Sequence, residues 1–592
     1  MKPKPRAEVG FEHRDLKDSE LLLEWPHTGR KLMAHVRNNS PEATELADIE
    51  LMPNDRPAAL SYAQDRYWLL SLLEPANAAY NSVRAIRLHG PLDRETMRGA
   101  IADVYARHES LRMCVAVQGG KPVLQVKSDL LAPLDWIDRA GHALDKGEIE
   151  VAIESVRAKP FELTEAPLAR VTVVSDGSQS HLVILVAHRI MVDDSSMERI
   201  LIDLGRFYSA RKSGSVPAVP SLGLQFSDFA RWQCAQAHGS GFANLIEYWK
   251  ERLSGELPVL ELGVDFPRPA RTTYGGRAVD LTFDSATLSR LDPICAGTES
   301  STFDVILTLL LVVLSKHTGQ TDFVVGSPAT NRVRSGTSEL VGRIATVLPM
   351  RFTLPEHCTF RQLLLIVRDE RRAALAHQEL PFERLLEDLP PVRDMSRHPL
   401  FQVLVHEATF SARELEFTAL DVALVEREPT AVMFDLEFQF DSAGESPLLR
   451  CIYNKALFAD ARIRALVGHI AQLVLSFDRD LDTPVRQIDV LGEDERQTLL
   501  LTRNAATQQL PEVEHLHRLV ERQVEQTPDA IALCCGKQEV TFRELNARAN
   551  QLARHLCEHG AEVGARIGIC LERSIDMMVA ILAALKAGST YV

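Results

Sequence analysis

The stretch HLVILVAHRIMVDDSSMERI, residues 181–200, constrains the fold more than any other part of the chain. An apolar strand runs into a histidine, an arginine and two aspartates, and a helix follows at once. In that helix Met197, Ile200, Leu201, Leu204 and Tyr208 fall on one face. Ser195 with Glu198 three residues on has the pattern of a capping box, which predicts a helix starting at Ser195. A strand feeding a helix through a polar loop belongs to α/β architecture, and such loops commonly carry function. The candidate residues are therefore His188, Arg189, Asp193 and Asp194.

The same alternation continues on both sides. AIRLHG reads as a strand, DRETMRGAIADVYARHESL as an amphipathic helix, and ARVTVVSDG with HLVILVAH as two strands joined by an Asp-Gly turn. A second α/β region contains STFDVILTLLLVVLSKHTG, DFVVGSP, FRQLLLIVRDERRAALAHQ and ARIRALVGHIAQLVLSF. The apolar run VILTLLLVVL is about half of what spans a bilayer, so it reads as a buried core helix. A polar join leads to TFRELNARANQLARHLCEHG and SIDMMVAILAALKAG, and the chain reads as cut off inside this last domain.

At 592 residues the chain exceeds what one hydrophobic core serves. The net charge of −15 gives no support for nucleic-acid binding. The nine cysteines form no C-x-x-C pair, and no signal peptide or membrane span is expected, so a cytoplasmic protein without a metal site is the natural reading. His188 and Asp193 lack a third ligand at sensible spacing, and no G-x-S-x-G elbow is present.

Six ordered stretches resemble the condensation domains of nonribosomal peptide synthetases. They are LSYAQDRYWLL, ARHESLRMCV, the 181–200 loop, FSDFARWQ, HQELPFERLL and RDMSRHPLFQ. TFRELN and LKAGSTYV are similar to the first core motifs of an adenylation domain. The resemblance implies a two-lobed fold like chloramphenicol acetyltransferase, plus the truncated N-terminal part of an α/β adenylation domain, expected to be inactive. It also implies a tunnel where carrier-bound thioesters meet. The expected boundaries are an N-terminal arm or linker over 1–54, an N-lobe over 55–225, a C-lobe over 226–490, a linker over 491–510 and the adenylation fragment over 511–592. The implied partners are peptidyl or aminoacyl carrier proteins in secondary metabolite biosynthesis. Their phosphopantetheine arms are the cofactor, and none is expected on the chain itself.

The loop departs from the family's H-H-x-x-x-D-G pattern. His188 and Asp193 match, but Arg189 stands where the second, catalytic histidine belongs, and Asp194 where the glycine belongs. Arginine stays protonated and cannot act as a base. His188 is a poor substitute, since neighbours on an extended strand point apart, and it reads as structural. Arg189 and Asp194 are placed so that they could pair across the loop and fill the tunnel, while Asp193 is expected to pair with Arg112 or Arg332. Two further departures, Arg343 and Thr346, fall in VGRIATVLPMR, where the family carries an apolar residue and an asparagine. H-R-x-x-x-D-D is similar to the X domains of glycopeptide synthetases, which recruit cytochrome P450 enzymes without condensing. Related interface domains recruit non-haem iron hydroxylases. The leading expectation is thus a condensation-inactive platform for carrier-bound peptide and a tailoring oxygenase. The alternative is an active condensation domain that joins two carrier thioesters with altered residues, relying on proximity.

Overall fold

The computed structural model describes Asp48, Ile49 and residues 58–592, apart from 76, 140, 142–143, 178, 218, 239–240, 390–393, 409, 426–428, 430, 443–446, 476–480 and 505–514. The expected N-terminal arm therefore lies almost wholly outside the described residues. The described chain forms two compact units, residues 1–492 and 493–592.

The first unit holds two mixed sheets. One has five strands in the order Asp421–Leu424, Asn81–His89, Ser180–His188, Ala169–Ser175 and Leu134–Asp138. Its pairs are antiparallel except the last. The central strand Ser180–His188 is buried from His181 onward. Helices Arg94–Arg107 and Asp194–Ser213 share one core with it, and helix Lys146–Arg157 covers Val83, Ile184 and Val186 in another. Met97, Ile101, Val104, Met197, Ile200, Leu201, Leu204 and Tyr208 are all buried, as the helical spacing predicts.

The second sheet has six strands in the order Thr346–Thr353, Asp322–Ala329, Val403–Ala408, Leu436–Asp441, Leu448–Asn454 and Gly276–Thr282. Val403–Ala408 runs parallel to both neighbours, which makes this sheet mixed. Helices Thr302–Thr318, Phe360–Ala376 and Asp460–Leu475 pack on it. Ser301 and Asp304 close a capping box at the start of Thr302–Thr318, and Gly319 ends it in the left-handed conformation at φ 71°. Val305 to Leu314 are buried, and among the described residues no single helix is long and apolar enough to cross a membrane.

The two cores do not separate at residue 226. Phe226, Phe229 and Trp232 belong to the first core, as do Leu340, Val341, Ile344, Leu415, Phe417 and Leu420. Strand Asp421–Leu424 completes the edge of the first sheet before the chain returns to the second. Apolar side chains at these positions find their burial against the earlier lobe, so proximity in sequence does not decide membership.

The second unit contains a hairpin, Ile531–Cys535 with Gln538–Thr541, and helices Leu516–Gln526, Phe542–Glu558 and Ile575–Lys586. Val540, Leu545, Ala549, Ile575, Val579 and Leu582 form its core. Thr590–Tyr591 pairs in parallel with Arg566–Ile567.

Candidate functional site

The loop after Ser180–His188 is anchored by one carboxylate. Asp193 is 2 % exposed and is the N-cap of helix Asp194–Ser213, accepting from the Ser196 N–H at 2.9 Å. The helix therefore begins at Asp194, and the predicted start at Ser195 is corrected by one residue, because Asp193 already satisfies the first free N–H. The Ser196 hydroxyl donates to the same carboxylate at 2.6 Å. Arg332 grips it with both terminal nitrogens, at 3.0 and 2.8 Å. The Ile344 and Ala345 N–H groups add bonds of 3.0 and 2.8 Å. Burial opposes ionisation of Asp193, but Arg332, Ser196 and Ala345 outweigh it and hold the carboxyl below its ordinary range. Of the two arginines expected near Asp193, Arg332 is the partner. Arg112 lies elsewhere, donating to the Tyr105 and Lys127 carbonyls at 2.9 and 3.3 Å.

This anchor also positions Arg343. Ser196 Oγ bonds the Gly342 carbonyl and N–H at 2.8 and 3.0 Å. A Cβ on Gly342 would lie 1.9 Å from the Phe226 ring, so the backbone approach requires glycine. Arg343 is thus held between two hydrogen-bonded residues, and its guanidinium sits 5.3 Å from the centre of the Tyr67 ring. Thr346, at the start of strand Thr346–Thr353, is 7 % exposed and its hydroxyl has no hydrogen-bond partner.

His188 is 5 % exposed, packs edge-on to Tyr67, Tyr80 and Phe161, and accepts the Ile190 N–H at Nδ1 over 3.2 Å. Burial, with Arg189 adding to it, lowers its pKa to about 4. The imidazole is neutral at ordinary pH and is enclosed by rings.

The pairing open to Arg189 and Asp194 does not form. Asp194 bonds Arg84 at 2.9 Å, because strand Asn81–His89 lies beside Ser180–His188 and brings Arg84 to the helix start. The Arg189 backbone N–H donates to the Tyr80 carbonyl at 2.9 Å, and its guanidinium meets the Tyr67 hydroxyl. The Nε atoms of Arg189 and Arg343 are both buried without a partner, and among the described residues neither guanidinium forms an ion pair. Burial favours the neutral phenol of Tyr67, yet Arg343 and Arg189 lower its pKa overall. The Asp194 side chain is 59 % exposed, but Arg84, Arg189, His406 and Arg343 overcome the opposing effect of burial and hold it well below the carboxylate range. An exposed carboxylate is thus surrounded by basic groups from both lobes.

Sequence reasoning missed Tyr67, Arg84, His406 and Glu437. Tyr67 lies in an unspecified position of the first matched stretch. Arg84 sits on a strand whose pairing no local pattern states. His406 and Glu437 lie on adjacent second-lobe strands, offset by two residues in register, and their side chains meet at 3.2 Å. Glu198, one turn beyond Asp194, is pushed up to about 7 by burial, with Arg84 opposing and Asp194 adding. Among the described residues no group of three or more His, Cys, Asp or Glu side chains is arranged to hold a metal ion.

Comparison with known proteins agrees with this arrangement. The condensation-domain family model matches residues 54–500, and the AMP-binding enzyme model matches 520–592. The chain is 33 % identical over 576 residues to tyrocidine synthase 2 of Brevibacillus parabrevis, covering 97 % of this chain but 16 % of that protein. It thus spans only a small part of the length of the curated relatives it matches. The X-domain from teicoplanin biosynthesis, also solved in complex with OxyB, superposes with a TM-score of 0.67 at 23 % identity, covering 75 % of this chain and 100 % of its own. A four-domain nonribosomal peptide synthetase bound to AMP and glycine gives 0.74 at 20 % identity, covering 92 % of this chain and 42 % of its own. With one model spanning most of its length over a two-lobed fold of this kind, the chain belongs to the condensation-domain family.

Proposed function

We propose that the domain holds carrier-bound peptide without condensing it and serves as a platform for a tailoring oxygenase, a cytochrome P450 or a non-haem iron hydroxylase. The observation that carries this reading is Arg189. A permanently charged guanidinium occupies the position where the family's resemblance calls for a proton acceptor, and His188 is too enclosed and too weakly basic to replace it. The site residues in this reading are Arg189, Asp194, Arg343 and Thr346 at the interlobe space, with His188, Asp193 and Arg332 supporting them. Phosphopantetheine arms on carrier proteins deliver the substrate. The stretches 55–225 and 226–490 act as one bilobed unit, and 511–592 contributes adenylation-type structure.

The deciding experiment supplies donor and acceptor aminoacyl thioesters on carrier proteins and titrates the chain with a tailoring oxygenase. No dipeptide above background is expected, since loss of a general base costs about 10²–10⁴ in rate. Micromolar oxygenase binding is expected. Product within seconds in a single turnover, or no oxygenase binding, overturns the reading.

Glu198 favours a second reading. With its pKa near 7 it exchanges protons near neutral pH one turn from Asp194, which suits an active condensation domain with a relocated base. In that case the same assay yields dipeptide, and Glu198→Gln abolishes it.

A further inference from the structure

The charges at the interlobe space do not balance. Three guanidiniums, Arg84, Arg189 and Arg343, surround Asp194 from both lobes. Arg84 is committed to Asp194 at 2.9 Å. Glu437 adds a second carboxylate to the field at Arg189, but it lies against His406 at 3.2 Å and bonds neither guanidinium. Glu198, raised to about 7 by burial, carries only part of a negative charge near neutral pH. Positive charge is left over, and it resides on Arg189 and Arg343. These two converge on one buried tyrosine, each with a buried Nε that bonds nothing.

The pair is also held in place. Gly342 and Ile344 fix the backbone of Arg343 through Ser196 and Asp193, and the Tyr80 carbonyl fixes that of Arg189. Two forked donors held by backbone bonds, each only partly exposed and lacking a counter-ion, make a preorganised receptor for a planar anion. We infer that Arg189 and Arg343 together bind a carboxylate borne by the carrier-delivered acyl or peptidyl group, so that the domain selects acidic substrates. The proposal rests on carrier-bound substrate occupying the interlobe space, and it does not depend on whether a peptide bond is made there.

The same chemistry has a second source, the phosphate of the pantetheine arm, and the probes separate the two. Isothermal titration of the full chain with glutaryl-pantetheine and valeryl-pantetheine compares a terminal carboxylate with a methyl group on the same thioester. Glutaryl-pantetheine is expected to bind roughly ten- to hundred-fold tighter, the range of charge-assisted hydrogen bonds. Arg189→Gln and Arg343→Gln should each bring the preference to about threefold or less, while Arg343→Lys, which keeps the charge, should retain part of it. Equal binding of the two probes by the unaltered chain overturns the proposal, whatever the variants do. Tighter binding of valeryl-phosphopantetheine with no glutaryl preference also overturns it, by assigning the charge to the arm. Dipeptide formation in the carrier assay would remove the platform reading and leave this selectivity intact.

Discussion

Two neighbouring pairs share one loop, His188 with Arg189 and Asp193 with Asp194, and each pair splits the same way. His188 and Asp193 are buried and supplied with partners. Arg189 and Asp194 are less fully satisfied, one with a buried, unpaired Nε and the other with its side chain more than half exposed. Moving one residue along the backbone takes a side chain from a tightly packed or fully bonded setting into a field of charges. The difference teaches that His188 and Asp193 hold the loop's architecture, Asp193 through bonds to several elements at once, whereas Arg189 and Asp194 carry charge with fewer ties.

The sharpest test of that contrast is Asp193→Ala. It strands the Arg332 guanidinium, whose side chain is 8 % exposed, and should cost about 3–5 kcal/mol in urea unfolding. The same buried set predicts acid sensitivity through His188. Its pKa is about 4 folded against 6.5 in an open chain, so the unfolded state binds the extra proton between those values. Stability is full above pH 6.5 and should fall by on the order of 3 kcal/mol as pH drops to 4. His188→Gln should flatten that part of the stability–pH curve.

Asp194 and Arg189 should respond weakly. Asp194→Asn breaks a solvent-accessible pair with Arg84 and should change stability by less than about 1 kcal/mol, despite lying next to Asp193. Arg189→Met loses a hydrogen bond to the Tyr67 hydroxyl but no ion pair, and should cost no more than about 1.5 kcal/mol. A loss of several kcal/mol at either position, read by the same urea titration, would abolish the distinction between the two sets. The smallest effect is expected at Thr346→Val, which replaces an unpartnered hydroxyl with a methyl and should leave the unfolding midpoint unchanged or slightly raised.

The sequence carried the strand–loop–helix unit, the helical faces and the long core helix, because their signals are local periodicities. The identity of the Asp193 partner was narrowed to Arg112 or Arg332 but not chosen. Arg112 turns to backbone carbonyls a few residues away, whereas Arg332 reaches across from the other lobe. The Arg84–Asp194 pair was replaced in expectation by Arg189–Asp194, since spacing along a loop says nothing about a neighbouring strand. Strand Asp421–Leu424 was equally hidden, as four residues give too short a pattern to reveal which sheet receives them.

That short strand sets a timetable. The first sheet lacks its edge until the ribosome has made residues 421–424, long after Asn81–His89 and Ser180–His188 have emerged. At about 5–20 residues per second the delay is roughly ten to fifty seconds. During this interval Asn81–His89 presents an open row of amides and carbonyls, a template for misassociation. Arg84, Arg87 and His89 on that strand supply charge and polarity that discourage a foreign strand from pairing first. The arginine that later holds Asp194 thus has an earlier task, guarding an unfinished edge while the rest of the chain is synthesised.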